Sequence, residues 1–174
     1  MTTFIFYRPM VWLDILEKKA KELADKVRES DEVHIVSHID ADGITSASIA
    51  YEALKRLGKS VSYEFVKQLE KQKIKELKKN KRSMIWFTDL GSGQIDQLDE
   101  FDCVITDHHE PSSGGKGLTV QDKGNILSYC RSSILEFNPH HHGIDGANEI
   151  SGSGMTYLVS EHLGDNTDLT KLAV

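Results

Sequence analysis

Three short stretches collect the residues that could do chemistry. "HIDADG" holds His38, Asp40 and Asp42 ahead of Gly43, "TDLGSG" carries Asp89, and "TDHHEP" carries Asp107, His108 and His109. Carboxylates and imidazoles are the oxygen and nitrogen donors that hard and borderline divalent cations take. In an extended backbone, side chains at i and i+2 share a face, so strand geometry carried past Ser37 would turn His38, Asp40 and Asp42 to one side. Gly43 permits a tight turn, and a following helix would bring its amide-rich N-terminus, which attracts anions such as phosphate. Cation ligands beside an anion-attracting helix end suggest metal-assisted phosphate chemistry. Taken alone, the first stretch reads equally as a helix start, with Asp40 as N-cap, Asp42 as a first-turn acid and His38 merely polar.

The elements around these stretches tell the rest. "EVHIVS", "SVSYEFV", "SMIWFTD", "DCVITD" and "SSILEFN" read as strands. "WLDILEKKAKELADKVRES" is an amphipathic helix with Leu13, Leu16, Ala20, Leu23 and Val27 on one face. "ITSASIAYEALKRLG" is a second helix, with Ile44, Ala47, Tyr51, Leu54 and Leu57 inward and Gly58 ending it. A basic helix runs around Ile74 and Leu77, a short one covers "QIDQLDEF", and "SGSGMTYLVSEHLG" is a glycine-entered helix. "TDLTKLAV" starts a helical pattern, with Thr167 or Asp168 as N-cap. Glu110 to Asn125, rich in Gly, Ser and Lys, reads as a loop. Strands alternating with helices predict an α/β fold: a doubly wound, mostly parallel sheet flanked by helices. In such sheets ligands bind beyond the carboxyl ends of the strands. Each of the three stretches ends a strand there, and helix capping does not account for their convergence.

Composition sets bounds. A chain of 174 residues can bury one real core. No apolar run approaches the ~18 residues of a membrane span, and "FIFY" near the start lacks the basic flank and cleavage site of a secretory signal. Cys103 and Cys130 are too few for a disulfide framework and read as reduced, which suits the cytoplasm. The net charge of −6 argues against a simple electrostatic nucleic-acid binder. It is uneven: Lys67 to Arg82 carries +6, which leaves −12 elsewhere, the pattern a cation-binding centre would add to. The basic run reads as a solvated helix face more readily than as a nucleic-acid contact.

"HIDADG", "TDLGSG" and "TDHHEP", in that order on an α/β pattern, resemble motifs I, II and III of the DHH phosphoesterases. "FNPHHHGIDGANEISGSG" extends the likeness to the archaeal RecJ-like nucleases, with an Asn-Pro-His segment and a Ser-Gly-Ser-Gly turn opening a helix. The resemblance covers Glu32 to Val174. It implies two Mn²⁺ or Mg²⁺ ions, with Asp40 on one, Asp42 on the other, Asp89 bridging them and His108 completing the second; His38, two residues before Asp40 where relatives place Asp or another group, is a further metal candidate. Two such ions would activate water and neutralise phosphate oxygens during in-line attack. Asp107 is implied to orient an imidazole, and His109 to face the scissile phosphate as charge stabiliser or general acid.

The backbone amides of Ser151, Gly152, Ser153 and Gly154, at a helix N-terminus, are implied to hold an adjacent phosphate. Without the family they read as a plain turn. Of His140, His141 and His142, consecutive residues that cannot all face one ion, His140 is the candidate for a substrate contact. The domain reading is an N-terminal segment with its helix over residues 1–30, then a DHH catalytic domain over 31–174. That domain stops before the family's fourth motif, another metal-binding Asp, and the family's C-terminal substrate-gripping domain is absent from this stretch. The expected activity is a single-stranded DNA or RNA exonuclease of repair or replication. The resemblance also admits a replication-fork scaffold binding a GINS-type partner, or a phosphoesterase for pyrophosphate, short oligonucleotides or cyclic dinucleotides. Against the last, the pyrophosphatase branch places its histidine four residues before the first Asp, where this chain has Val36.

Overall fold

The computed structural model describes residues 7–80, 84–112 and 134–173. Five strands form one parallel sheet: β1 (Glu32–His38), β2 (Ser60–Val66), β3 (Ile85–Thr88), β4 (Cys103–Thr106) and β5 (Ile134–Phe137), in the order β2-β1-β3-β4-β5. The helices are α1 (Tyr7–Arg28), α2 (Ala41–Arg56), α3 (Lys71–Lys79) and α4 (Gly152–Glu161). Short 3-10 turns cover Ser92–Gln97, Pro139–His142 and Thr167–Leu172.

Strand alternation sorts the core into two layers. Val33, Ile35, Trp86, Val104 and Phe137 face one way and pack on α1, α2 and α4. Val36, Ile85, Phe87, Cys103 and Ile105 face the other way, onto Ile74 and Leu77 of α3 and onto Ile95, Leu98 and Phe101. Leu16, Ala20, Leu23 and Val27 of α1 are buried at helical spacing; full burial of a leucine such as Leu23 is worth about 1.5–3 kcal/mol. Trp86 and Phe87 are core residues, and the Trp86 indole N–H donates to Thr106 Oγ1 at 3.0 Å. His34 is buried between Ser62 Oγ (2.8 Å) and Glu64 Oε1 (3.1 Å), a structural polar group. Among the described residues no helix is long and apolar enough to cross a membrane.

Three sequence expectations need correcting. The buried residues of α2 are Gly43, Ser46, Ala47, Ile49, Ala50, Ala53 and Leu54, while Ile44 and Leu57 are exposed. The helix α2 packs against both α4 and β1, and the alanines at 47, 50 and 53 let it lie close to them. "QIDQLDEF" forms only the end of a 3-10 turn. The last segment is a 3-10 turn too, with Asn166 at its N-cap position. Asp168 is not a cap: its carboxylate takes a two-pronged bond from the Arg56 guanidinium at 2.6 and 2.8 Å. Most of the expected loop, and Cys130, lie outside the described residues.

The topology prepares a site. The chain leaves β1 for β2 on one side and returns to place β3 on the other, so the crevice between β1 and β3 is a topological switch point, where doubly wound sheets bind ligands. Ser37, Thr88 and Thr106 sit level across β1, β3 and β4. The residues that follow each of them therefore emerge together on one rim.

Candidate metal centre

Asp89 is the centre of the cluster. It directly follows β3 with φ 57°, a left-handed conformation uncommon outside glycine, Asn and Asp, and its amide donates to Thr106 O at 2.8 Å. Its carboxylate is fully buried, yet neither oxygen has a hydrogen-bond partner. Around it stand His108 Nε2 (3.3 Å), His38 Nδ1 (3.8 Å) and His109 Nδ1 (3.9 Å), contacts of charge rather than directed hydrogen bonds. His38 Nδ1 lies 2.9 Å from Asp40 Oδ2 and is likewise buried without a directed bond. Burial pushes the Asp89 carboxyl up to about 6; His108 opposes the rise, and the Asp42 and Asp40 charges add to it. A buried carboxylate left without donors is costly, and a divalent cation removes that cost.

The imidazoles are oriented by their other nitrogens. His108 Nδ1 is 2.7 Å from Gly146 O. A carbonyl only accepts, so Nδ1 carries the hydrogen and Nε2 is turned to Asp89 and to Asp42 Oδ2 (3.4 Å). This is the arrangement metal-binding histidines adopt. With no cation between them, Asp89 holds His108 protonated and raises its pKa to about 9. His109 Nδ1 lies 2.8 Å from Asp107 Oδ1, which also accepts the His109 amide at 3.1 Å, while Asp107 Oδ2 accepts the Ser92 amide at 2.9 Å. Burial alone would raise the Asp107 carboxyl, but His109 and these amides outweigh it and hold it below the ordinary carboxylate range. Asp107 in turn raises the His109 pKa. His109 is half exposed, with Nε2 free of these bonds.

Asp40 and Asp42 part company. Asp40 is the N-cap of α2, taking the Gly43 amide on Oδ1 at 2.9 Å while Oδ2 faces His38. Burial would raise its pKa, but the Gly43 amide and His38 outweigh it and lower it. The helix-start reading and the cation-ligand reading of Asp40 are therefore compatible. Asp42 reaches across to α4: Oδ2 accepts from Gly152 N at 2.7 Å and Oδ1 from Ser153 N at 2.8 Å. The Gly154 amide donates to Ser151 Oγ at 3.1 Å. The amides of Gly152, Ser153 and Gly154, expected to face phosphate, are thus engaged by side-chain oxygens of this chain. The physical reason is that the first turn of α2 and the start of α4 meet at the rim, where an N-terminus attracts the nearest carboxylate.

Close approach of backbones underlies this. A Cβ on Gly43 would stand 2.1 Å from His38 O, and one on Gly152 would stand 2.6 Å from Asp89 Oδ1. Gly43→Ala is expected to cost about 3 kcal/mol or more by overpacking against backbone, a fall in melting temperature of about 6–12 °C. Gly164→Ala, with nothing within 4 Å of the added carbon, serves as control. Equal melting temperatures for the two variants in a thermal scan would reject the close-packed turn.

His140 does not face open space. Its Nε2 lies 3.1 Å from His108 O, so it braces the backbone of the cluster. His141 pairs with Glu136 at 2.7 Å. Beside the cluster opens a cleft of about 660 Å³, whose lining includes His38, Asp89 and His109 together with Lys67, Lys71, Glu70 and Glu110. Sequence reasoning missed four groups that shape the site: Ser37, Thr88, Ser92 and Asn138. Ser37 Oγ stands 2.7 Å from Gly43 O, 3.0 Å from Thr88 O and 2.8 Å from the Thr88 hydroxyl, tying β1, β3 and α2 together. Only Asn138 carried a signal, its place before Pro139.

His38, Asp40 and Asp89, and separately Asp89, His108 and His109, bring ligand atoms within 4.8 Å of one another. The buried, undonated oxygens of Asp89, shared by both groups, suit a metal cation. Fold and cluster together define a class: a doubly wound parallel domain with a carboxylate–imidazole cation centre at its switch point. The chain belongs to the DHH family, whose N-terminal domain matches residues 32–173.

It is 32% identical over 165 residues to an uncharacterized protein of Methanocaldococcus jannaschii, covering 91% of this chain and 35% of that one. It is 27% identical over 124 residues to the single-stranded-DNA-specific exonuclease RecJ of Bacillus subtilis, covering 62% of this chain and 16% of that one. The chain thus spans about a third or less of the length of these relatives. Solved structures of the same fold include RecJ from Thermus thermophilus in complex with Mn²⁺ (TM-score 0.58, 22% identical, 85% of this chain and 20% of that one). CDC45 from Entamoeba histolytica shares it as well (0.57, 14%, 91% and 31%).

Proposed function

We propose that this chain is the metal-bearing part of a phosphodiesterase that hydrolyses single-stranded DNA or RNA. The observation that carries the reading is the buried, unpartnered Asp89 carboxylate set between two histidine-containing ligand groups. His38, Asp40 and Asp89 would hold one Mn²⁺ or Mg²⁺, and Asp89 with His108 the other, with Asp42 within reach of His108. When bound, the ions supply an activated water and charge neutralisation at the phosphate. The protein's own groups do the rest. His109, held by Asp107 at Nδ1, turns Nε2 toward a phosphate or leaving-group oxygen, and Asp107 raises its pKa, which favours the protonated ring that donates Nε2–H there. Lys67 and Lys71 in the cleft lining suit the backbone of a nucleic-acid strand. Likeness to RecJ of Bacillus subtilis supports single-stranded DNA as the substrate, and the Mn²⁺-bound RecJ supports the choice of ion.

The test is a panel of single-stranded DNA, single-stranded RNA, dinucleotides and pyrophosphate, with the full-length protein and Mn²⁺. Mononucleotide release from the strands is expected. Cleavage of dinucleotides or pyrophosphate alone would replace this reading with a small-molecule phosphoesterase. His109→Gln is expected to lower kcat about 10²- to 10⁴-fold with Mn²⁺ affinity close to wild type. A fall in affinity instead would make His109 a ligand. The likeness to CDC45 supports a second reading, a replication-fork scaffold for a GINS-type partner. A scaffold has no use for an unpaired buried carboxylate, so a stable GINS complex with no hydrolysis of any strand is the result needed to prefer it.

A further inference from the structure

Asn138 follows β5, directly before Pro139, and is completely buried. Its side chain makes three hydrogen bonds. Oδ1 accepts from the His140 amide at 3.0 Å, and Nδ2 donates to Ser92 Oγ and to His109 O, each at 2.9 Å. Because the His140 amide can only donate and the His109 carbonyl can only accept, the partners fix which end of the amide is which.

The three bonds reach every member of the Asp107-His108-His109 triplet. Through Ser92, whose amide donates to Asp107 Oδ2, Asn138 connects to the carboxylate that orients His109. Its direct bond holds the His109 peptide. By holding the His140 amide it sets the ring whose Nε2 braces His108 O at 3.1 Å. Asn138, Ser92, Asp107 and His109 form a closed ring of hydrogen bonds across the ends of β3, β4 and β5. Helix capping explains only one of the three bonds: the Oδ1 contact caps the Pro139–His142 turn, while the two Nδ2 bonds leave that turn for the triplet.

We propose that Asn138 is a positioning residue for the metal centre: a single buried amide that fixes the backbone of His108 and His109 and, through Ser92, the carboxylate of Asp107. The inference rests on the phosphodiesterase reading for its use, but the bracing itself does not need a metal. Asn138→Asp separates its two roles. The carboxylate keeps the capping acceptor and sets an oxygen against the His109 carbonyl, so the cap survives and the brace is lost.

The test measures Mn²⁺ affinity by titration calorimetry and amide hydrogen exchange without metal, on the full-length wild type, Asn138→Asp, Asn138→Ala and Leu23→Ala. Leu23→Ala destabilises the α1 layer away from the site and controls for general loss of stability. Both Asn138 variants are expected to bind Mn²⁺ about 10- to 100-fold more weakly, the usual effect of removing a group that orients metal ligands. They should also exchange the Ser92 and His109 amides at least about tenfold faster, with neither change in Leu23→Ala. Ser92→Ala, which removes one Nδ2 acceptor, should follow in the same direction at smaller size, and it decides the matter if the Asn138 variants do not fold. Wild-type affinity and wild-type exchange at both amides would overturn the proposal. If the wild type binds no Mn²⁺, the metal reading falls, and the exchange arm alone judges the brace.

Discussion

Asp89→Asn is expected to abolish Mn²⁺ binding and lower kcat at least about a thousandfold, while leaving the fold in place. The carboxylate is the one group common to both ligand clusters, fully buried and without hydrogen-bond donors. Removing its charge removes the anion that draws cations to the rim, worth several kcal/mol of charge stabilisation, at about 1.36 kcal/mol per factor of ten. The choice of asparagine matters. Residue 89 has φ 57°, which asparagine adopts more readily than alanine. Asp89→Ala would add a backbone penalty of about 1–2 kcal/mol and blur loss of metal with loss of fold. Circular dichroism should match wild type for Asp89→Asn, and calorimetry should detect no Mn²⁺ binding. Retained hydrolysis with Mn²⁺ would remove Asp89 from the centre and with it the assigned site.

The second large effect is a pH dependence of metal affinity with opposite consequences for the metal-free and loaded protein. Asp89 holds a proton on His108, raising its pKa from 6.5 to about 9. A group whose folded pKa is raised stabilises the fold fully below its unfolded value, and that contribution is lost as pH climbs through the folded value. The metal-free protein should therefore lose stability between about pH 6.5 and 9. A cation replaces that proton, so Mn²⁺ affinity should rise close to tenfold per pH unit over the same window, one proton being released per ion at His108. Below about 6 the slope steepens, because Asp89 is then protonated as well. Thermal scans with and without Mn²⁺ from pH 6 to 9 should diverge. His108→Gln, which has no proton to release, should flatten the affinity profile. A wild-type affinity that does not vary with pH across this window would place the ion away from His108.

The route from residues to this site can be traced at particular positions. The short buried strand "EVHIVS" and the strand-helix alternation downstream were enough to place Asp89 and Asp107 at strand ends, and to bring them beside His38 on one rim. Asp107 as the partner of an imidazole was implied by the resemblance to the DHH phosphoesterases, and its 2.8 Å contact is with His109 Nδ1. The buried face of α2 was misjudged at its two ends, because hydrophobicity ranks Ile44 and Leu57 above Ala50 and Ala53, whereas the packing of α2 on β1 and α4 buries the alanines and leaves those two exposed.

What the residues decided locally was the strand and helix identities, the turn at Gly43 and the stock of carboxylates and imidazoles. The tertiary structure alone decided how that stock is divided. Asp42 and Gly152 are 110 positions apart, and nothing in either stretch says that one carboxylate will cap the other helix while Asp89 stays bare. The same is true of Asn138, whose amide bridges three strand ends at once. Periodicity is a property of neighbours along the chain. Which donor meets which acceptor depends on how tightly distant helices and loops pack, and this competition leaves Asp89 without a donor and available to a cation.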